Sequence, residues 1–419
     1  MRLEKCKGSR DLSTEEMVRF RFIEQVFRDC CLKWGYEEVR TPTLEYLHLF
    51  TSTGTLTPSM LSKVYSFLDW DGWSGQRVVL RPDGTIPVAR LYIDSLREKG
   101  GARLFYITNI FRFEGTGKEA RERWQGGAEL MGVSSPLADV ELIILALEVL
   151  SRMGIKGVEL RLSHAGLIRS LLSKLGLSPE EQARIFDQIL DGDVEALTKI
   201  KSRKPELGRA VTSLLDLKGE SPGLVKNLKA LFRHSLPELE PHIDDFVSIV
   251  DLLETMGHSY QIDITCGRGF EYYTGVILQL FVDEDKVGGG GRYDALIPLM
   301  GGGNVPASGF ALYFDRLMDI VEPATLPKPT VKGILIKSEP EAIKQGFNIA
   351  RYLRETGYVA ELDLGGEEPT NVRWVLEVRS STPIFVLTDR TKCRKSELST
   401  VDEVVAVLEE GNADKDSAA

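Results

Sequence analysis

The chain has 419 residues, 42% of them apolar and 27% charged, which is material for two or three domains with substantial cores. A net charge of −10 argues against an extended nucleic-acid surface, and no apolar run reaches the eighteen or so residues of a membrane span. The N-terminus has no signal-peptide core, Cys6, Cys30, Cys31, Cys266 and Cys393 form no C-x-x-C pair, and the five histidines are scattered, so the expectation is a cytoplasmic protein with reduced thiols and no metal site.

In chain order, Met17, Phe20, Phe22, Ile23, Val26, Phe27, Cys30 and Leu32 recur at three- and four-residue spacings, predicting an amphipathic helix over 14–35 that stops at Gly35. An extended segment, Glu37–Pro42, follows. Strand patterns appear at 64–69, 77–80 and 103–109, with a helix at 86–96. Elements alternating without regular βαβ spacing predict an α+β unit, an antiparallel sheet flanked by helices. Residues 166–256 carry mostly helical periodicity broken by prolines, a helical insertion. Strands return at 259–265, 275–282 and 308–314, closing a first domain at 1–323. Ala324–Thr330 contains two prolines and reads as a linker.

A small α/β domain is expected at 331–411. Its strands are predicted at 333–337, 358–364 and 383–388, and its helices at 340–356, around 370–380 and at 401–410, with Ile343, Phe347, Ala350 and Leu353 on one helix face. The basic cluster Arg390, Lys392, Arg394 and Lys395 reads as a solvated loop, and 412–419 as a disordered tail.

The chemistry-bearing segments are Thr265–Ile277, which includes Arg268, Tyr272 and Tyr273, and Gly288–Leu296, a run of four glycines before Arg292-Tyr293-Asp294. A fixed cation beside two aromatic faces suits a small ligand with a carboxylate and a flat ring, such as an aromatic or imidazole amino acid. Taken singly, Arg81-Pro-Asp-Gly-Thr85 is a turn and Gly288–Gly291 a flexible loop.

Their order along the chain carries more. Lys7–Leu12, Val39-Arg-Thr-Pro42, Arg81–Thr85, Phe111–Glu114 through Arg121–Gln125 to Glu129 and Gly132, residues 268–275, 288–296 and Gly309–Leu317 together resemble the motifs of the histidyl-tRNA synthetase family. That family includes paralogues serving as regulatory subunits of ATP phosphoribosyltransferase, and the likeness spans roughly residues 5–320. It implies a class II aminoacyl-tRNA synthetase-like core. It also implies a histidine site in which Asp83, Thr85, Gln125 and Glu129 surround the ammonium and imidazole, Arg112 faces the carboxylate, Arg268 sits by the carboxylate or, in a synthetase, the reacting phosphate, and Tyr273, next to Tyr272 in the same motif, packs beside the ring.

The nucleotide half departs from the synthetase pattern. Arg123 stands where the adenine-stacking Phe is expected, Glu119-Ala120 replaces a Gly-Arg, Tyr313 replaces a Gly of motif 3, and Asp315 replaces a Glu. A ring at 313 occupies the space that glycine leaves for the nucleotide, and Glu119 repels phosphates. The C-terminal module is also acidic, with 12 Lys and Arg against 16 Asp and Glu over 331–419, a poor anticodon reader.

These departures favour the regulatory paralogue. By resemblance that protein has no catalytic residues of its own and no cofactor. It binds histidine and joins a short-form catalytic subunit that condenses ATP with phosphoribosyl pyrophosphate, the first step of histidine biosynthesis, allowing feedback inhibition. The alternative is an active histidine-tRNA ligase, which retained Arg268 and Arg316 favour. A homodimer within a hetero-oligomer is expected, paired through the apolar face of Phe20, Ile23 and Phe27 with the segment to Pro42; neither tRNA nor a membrane is expected as a partner.

Overall fold

The computed structural model describes residues 4–53, 61, 63–69, 75–113, 120–174, 176–178, 181–182, 184–185, 188, 193, 195, 212–213, 218–232, 236–264, 273–326, 333–366 and 372–416. The chain divides into two compact units, Met1–Leu326 and Pro327–Ala419.

The first unit opens with the helix Thr14–Lys33. Ser13 caps it, accepting from the Glu16 backbone while the Glu16 carboxylate accepts from the Ser13 N–H at 2.7 Å. Gly35, at a φ of 79°, turns the chain out of the helix. Among the described residues twelve strands follow: β1 (Glu37–Glu38), β2 (Leu44–Tyr46), β3 (Ser66–Leu68), β4 (Arg77–Leu80), β5 (Ala102–Phe111), β6 (Glu122–Met131), β7 (Glu159–His164), β8 (Lys218–Gly219), β9 (Gln261–Asp263), β10 (Val276–Val282), β11 (Asp285–Arg292) and β12 (Ala307–Tyr313). Nine form one sheet in the order β1-β5-β6-β12-β11-β10-β7-β9-β8, and β2-β4-β3 form a small second sheet. The six strands from β5 to β7 are antiparallel throughout, as the sequence predicts; β1 on β5 and β9 on β7 are parallel and make the sheet mixed.

The apolar face of the helix Thr14–Lys33 packs inward. Phe27 meets Phe105 of β5 and Phe310 of β12 with ring centroids 6.2 and 6.4 Å apart, and Phe20 meets Trp124 of β6 at 5.1 Å. Phe20, Ile23 and Phe27 are 3%, 0% and 0% exposed within a single chain, so this face cannot be the predicted pairing surface. Its apolar area is already withdrawn from water against the chain's own sheet. Much of the predicted helical insertion lies outside the described residues; within it the helices Ala165–Ser173, Pro222–Phe232 and Glu240–Thr255 are present.

Gly288–Gly291 belong to β11, in the middle of the sheet, and not to a loop. A Cβ at Gly290 would overlap the Gly309 carbonyl of β12, so the glycines here allow backbones to approach closely.

The second unit is a five-stranded sheet in the order β14-β13-β15-β16-β17, made of β13 (Gly333–Ser338), β14 (Val359–Leu362), β15 (Trp374–Val378), β16 (Phe385–Asp389) and β17 (Arg394–Leu398). β14 and β15 run parallel to β13, and β16 and β17 continue antiparallel. Four readings of this module change. The helix predicted around 370–380 is the central strand β15, a short buried apolar run that periodicity cannot tell from a helix. The basic cluster spans a turn and the edge strand β17, whose charged side chains suit an unpaired edge. The helix Ile343–Glu355 buries Gly346, Ile349, Ala350 and Leu353 and leaves Ile343 and Phe347 half exposed, because Gly346 sits directly over Ser338 and sets the helix's rotation. The last helix, Val401–Asp416, also runs into the stretch read as a disordered tail.

Candidate functional site

The site is assembled from β4 upward. Arg81, buried after that strand, donates to the carbonyls of Thr41, Pro42 and Asn109 and to Asn109 Oδ1, all at 2.7–2.9 Å. Four bonds from one guanidinium hold the Arg81–Thr85 segment against the extended segment and β5. Asp83 then accepts from the Ile86 N–H at 2.9 Å and starts the helix Thr85–Leu91. A Cβ at Gly84 would overlap the Tyr106 ring. The segment is a turn, but one fastened so that Asp83 and Thr85 stand over the sheet.

Strand alternation supplies the next residues. Gln125, Gly127 and Glu129 share one face of β6, while Gly126 on the opposite face lies against Phe27 and Phe314 in the core. Gln125 Nε2 donates to the Tyr106 hydroxyl at 3.0 Å, and that hydroxyl lies 3.5 Å from Thr85 Oγ1. Glu129 is 1% exposed. Tyr293, just after β11, donates to Glu129 Oε2, and Oε1 has no hydrogen-bond partner. Gly309 of β12 lies directly against this carboxylate, since a Cβ there would overlap it.

These residues surround a cleft of about 480 Å³. Asp83, Thr85, Arg112, Gln125, Tyr273, Tyr293 and Gly309 line it, and Glu129 lies beneath Thr85, Tyr293 and Gly309. Arg112 Nε donates to the Pro82 carbonyl at 3.0 Å, which sets its guanidinium next to Asp83. Of the expected site residues, Asp83, Thr85, Arg112, Gln125, Glu129 and Tyr273 come together here; Arg268 and Tyr272 lie outside the described residues.

Burial dominates the electrostatics. It raises Asp83 above its usual carboxylate range against the opposing Ile86 N–H and the Arg112 charge. Burial pushes Glu129 up to about 8, opposed by hydrogen bonds from Tyr293 and Thr85 and reinforced by the Asp83 charge. Tyr273 is raised well above an ordinary phenol, first by burial and then by Tyr313, Asp83 and Glu129.

The other end of the cleft is lined by Arg10, Ala120, Arg123, Tyr313, Asp315 and Arg316. Asp315 accepts from the Trp124 N–H at 2.6 Å and pairs with Arg10 at 3.1 Å, tying the N-terminal segment, β6 and the helix Phe314–Ile320 together. Arg123 Nε donates to the Ala120 carbonyl at 3.0 Å. Glu119 lies outside the described residues. Among the described residues, no group of three or more His, Cys, Asp and Glu side chains could hold a metal ion, and no helix is long and apolar enough to cross a membrane.

Tyr106 and Tyr293 have no assigned role from sequence. Each is a phenol buried beside a carboxylate, and a polar handle in an apolar run is the signal that could have found them. Arg292, in the same glycine-rich motif, faces away from ligand chemistry: it is buried and pairs with Asp139 at 2.8 Å.

The chain matches the histidyl-tRNA synthetase family over residues 8–317. ATP phosphoribosyltransferase regulatory subunits from two strains of Dehalococcoides mccartyi are 52% identical to it over 97% of this chain and 98% of their own length. A histidine-tRNA ligase from Methanocaldococcus jannaschii is 33% identical over 87% of each chain. Among solved structures, an ATP phosphoribosyltransferase regulatory subunit/histidyl-tRNA synthetase from Bacillus halodurans C superposes with a TM-score of 0.76 at 25% identity, covering 91% of this chain and 100% of that one.

Proposed function

The chain belongs to the histidyl-tRNA synthetase family, on the branch of the ATP phosphoribosyltransferase regulatory subunits, and we propose that it works there as a histidine sensor without catalytic chemistry of its own. The observation that carries this reading is the unequal state of the cleft's two ends: a buried polar cluster suited to an amino acid at one, and a tyrosine ring and an ion-paired Asp315 at the other.

The roles follow from charge and fit. Asp83, Thr85 and Gln125 receive the ligand's ammonium, Arg112 its carboxylate, and Glu129 and Tyr273 its imidazole. Arg268 and Tyr272 are assigned by family resemblance alone, Arg268 to the carboxylate and Tyr272 to the ring-binding motif. Matching acid and base to the two ends of a zwitterion rejects ligands that leave a buried group unpaired. Tyr313 fills the room a nucleotide needs and Arg123 replaces the aromatic ring expected against adenine, so on this reading histidyl adenylate does not form and tRNA is not a partner.

The protein acts in the cytoplasm as a homodimer joined to a short-form catalytic subunit. The pairing face differs from the one read from sequence: Leu44, Tyr46 and Phe67 share one face of the small sheet, are 42–48% exposed and offer an apolar surface for a second copy. Feedback then requires that histidine bind one quaternary state better than another, with a coupling of about 1 to 3 kcal/mol.

Two measurements test this. Calorimetry of the purified chain with histidine should give saturable binding without ATP, and adding the chain to a short catalytic subunit should raise transferase activity and make it histidine-sensitive. Steady histidine-dependent exchange of pyrophosphate into ATP would instead establish a ligase.

A further inference from the structure

Two buried arginines fasten the two halves of the polar end of the cleft. Arg81 holds the segment that carries Asp83 and Thr85 and, through the Pro82 carbonyl, Arg112. The ring half rests instead on Gly291, Arg292 and Tyr293. A Cβ on Gly291 would come within 3.0 Å of the Tyr273 ring, so that ring lies flat against the strand. The Arg292 carbonyl accepts from the Thr274 N–H at 2.8 Å, one residue after Tyr273. Tyr293 donates to Glu129 Oε2.

The Arg292 side chain itself leaves in the other direction. Gly291 is level with Gly309 of β12 and with Glu129 of β6, while Arg292 is level with Ser308 and Leu130, one residue on. Successive residues point to opposite faces, so Glu129 looks into the cleft and Arg292 into the layer behind the sheet. There it is 5% exposed, and all five N–H groups of its guanidinium donate. Two go to Asp139 Oδ2, at 2.8 and 3.0 Å, and three to the Val133 and Ser135 carbonyls and Asp294 Oδ1, at 3.1–3.3 Å. Asp139, on the helix Pro136–Arg152, is 2% exposed. Gly275 packs on this side chain from the other strand, since a Cβ there would stand 2.9 Å from Arg292 Cδ.

We infer that Arg292 and Asp139 are positioning residues for the ligand's ring: from behind the sheet the pair fixes the backbone of Gly291–Tyr293, and so sets Tyr273, Tyr293 and Glu129 against the imidazole, independently of the Arg81 anchor at the zwitterion end. This rests on the histidine-site reading above. Neither residue touches the ligand. A buried ion pair gains little net stability over apolar side chains of the same size, whereas directional bonds from a planar fork fix a backbone in place. The pair therefore acts on geometry, and its loss should be felt in the half of the site that it holds.

The test is calorimetry of the full chain with histidine, arranged as two double-variant cycles. Asp139→Asn removes the charge that Arg292 meets, and Tyr293→Phe removes one of the groups the pair sets; each alone should lower affinity about 10-fold. Together they should lose about 30-fold or less, short of the roughly 100-fold product, because the second change disturbs what the first has loosened. Combined with Arg112→Lys, at the end that Arg81 fastens, Asp139→Asn should exert its full separate loss. Gly275→Ala presses a methyl group on the Arg292 side chain with both charges kept; it should give the same two patterns, and it decides the matter if Asp139→Asn does not fold. Wild-type affinity in the deciding variant overturns the positioning role. So does a loss that combines in the same way with Tyr293→Phe and with Arg112→Lys, the mark of a general loosening; either result leaves the histidine site standing. Absence of histidine binding by the wild type overturns the site reading and this inference together.

Discussion

The two ends of the cleft rest on the same sheet but are held in different ways. At one end Tyr106, Gln125, Glu129 and Tyr293 are buried and hydrogen-bonded in pairs, Gln125 to Tyr106 and Tyr293 to Glu129, and Asp83 is buried near them and held by the Ile86 N–H. At the other, Arg10 and Asp315 are partly exposed and Tyr313 stands at the end of β12. A buried polar cluster tolerates little change, since removing one member leaves its partners unsatisfied at a cost of about 1 to 3 kcal/mol each. A partly exposed end can exchange residues at small cost in stability. One fold can thus keep the buried cluster at one end of its cleft while the partly exposed end is rebuilt.

The largest effect is expected at Gly309. Replacing it with Val pushes a side chain into the Glu129 carboxylate and the Ala128 carbonyl, so histidine affinity should fall at least about 100-fold, with circular dichroism checking that the sheet survives. Near-normal affinity would mean that the buried cluster does not form the histidine site. On the proposed assignment Arg112→Ala removes a charge-assisted bond to the ligand carboxylate, and calorimetry should record a loss of about 2 to 3 kcal/mol, or roughly 30- to 150-fold.

Tyr313→Gly sharpens the contrast from the other side. Histidine affinity should stay within about threefold, while titration with a fluorescent ATP analogue should reveal binding that the wild type lacks, because the ring no longer fills the space. Equal nucleotide affinity in the two proteins would remove Tyr313 as the obstacle. Asp315→Asn should matter least. It weakens a partly exposed pair with Arg10 but keeps an acceptor for the Trp124 N–H, so thermal unfolding should shift by about 1 kcal/mol or less, with histidine affinity unchanged.

Parts of this arrangement were open to reading from sequence and parts were not. The helix Thr14–Lys33, the strand β4 and the strand β10 follow from periodicity and capping alone. Asp83, Gln125 and Glu129 could be named as candidates from the order of motifs, and the structure brings them together. The strand β11 could not be read, because four consecutive glycines have no alternation and local propensity assigns them to a loop; only the backbones of β10 and β12 on either side require residues without side chains. The edge strand β17 was hidden by its charges for a related reason, since an edge pairs on one side and needs no apolar pattern.

By itself the sequence determined which segments are amphipathic, which carry turn chemistry and which residue types could bind a zwitterion, since these depend on local spacing and on each side chain's own chemistry. Which way an apolar face points is a tertiary matter. Phe20, Ile23 and Phe27 have the same spacing whether they meet a second copy or their own sheet, and only the packed core shows them against Phe105, Phe310 and Phe314. The state of Glu129 was equally out of reach, because its raised pKa comes from the water excluded by strands and loops far apart in the chain, against the lowering bond of a tyrosine 164 residues away.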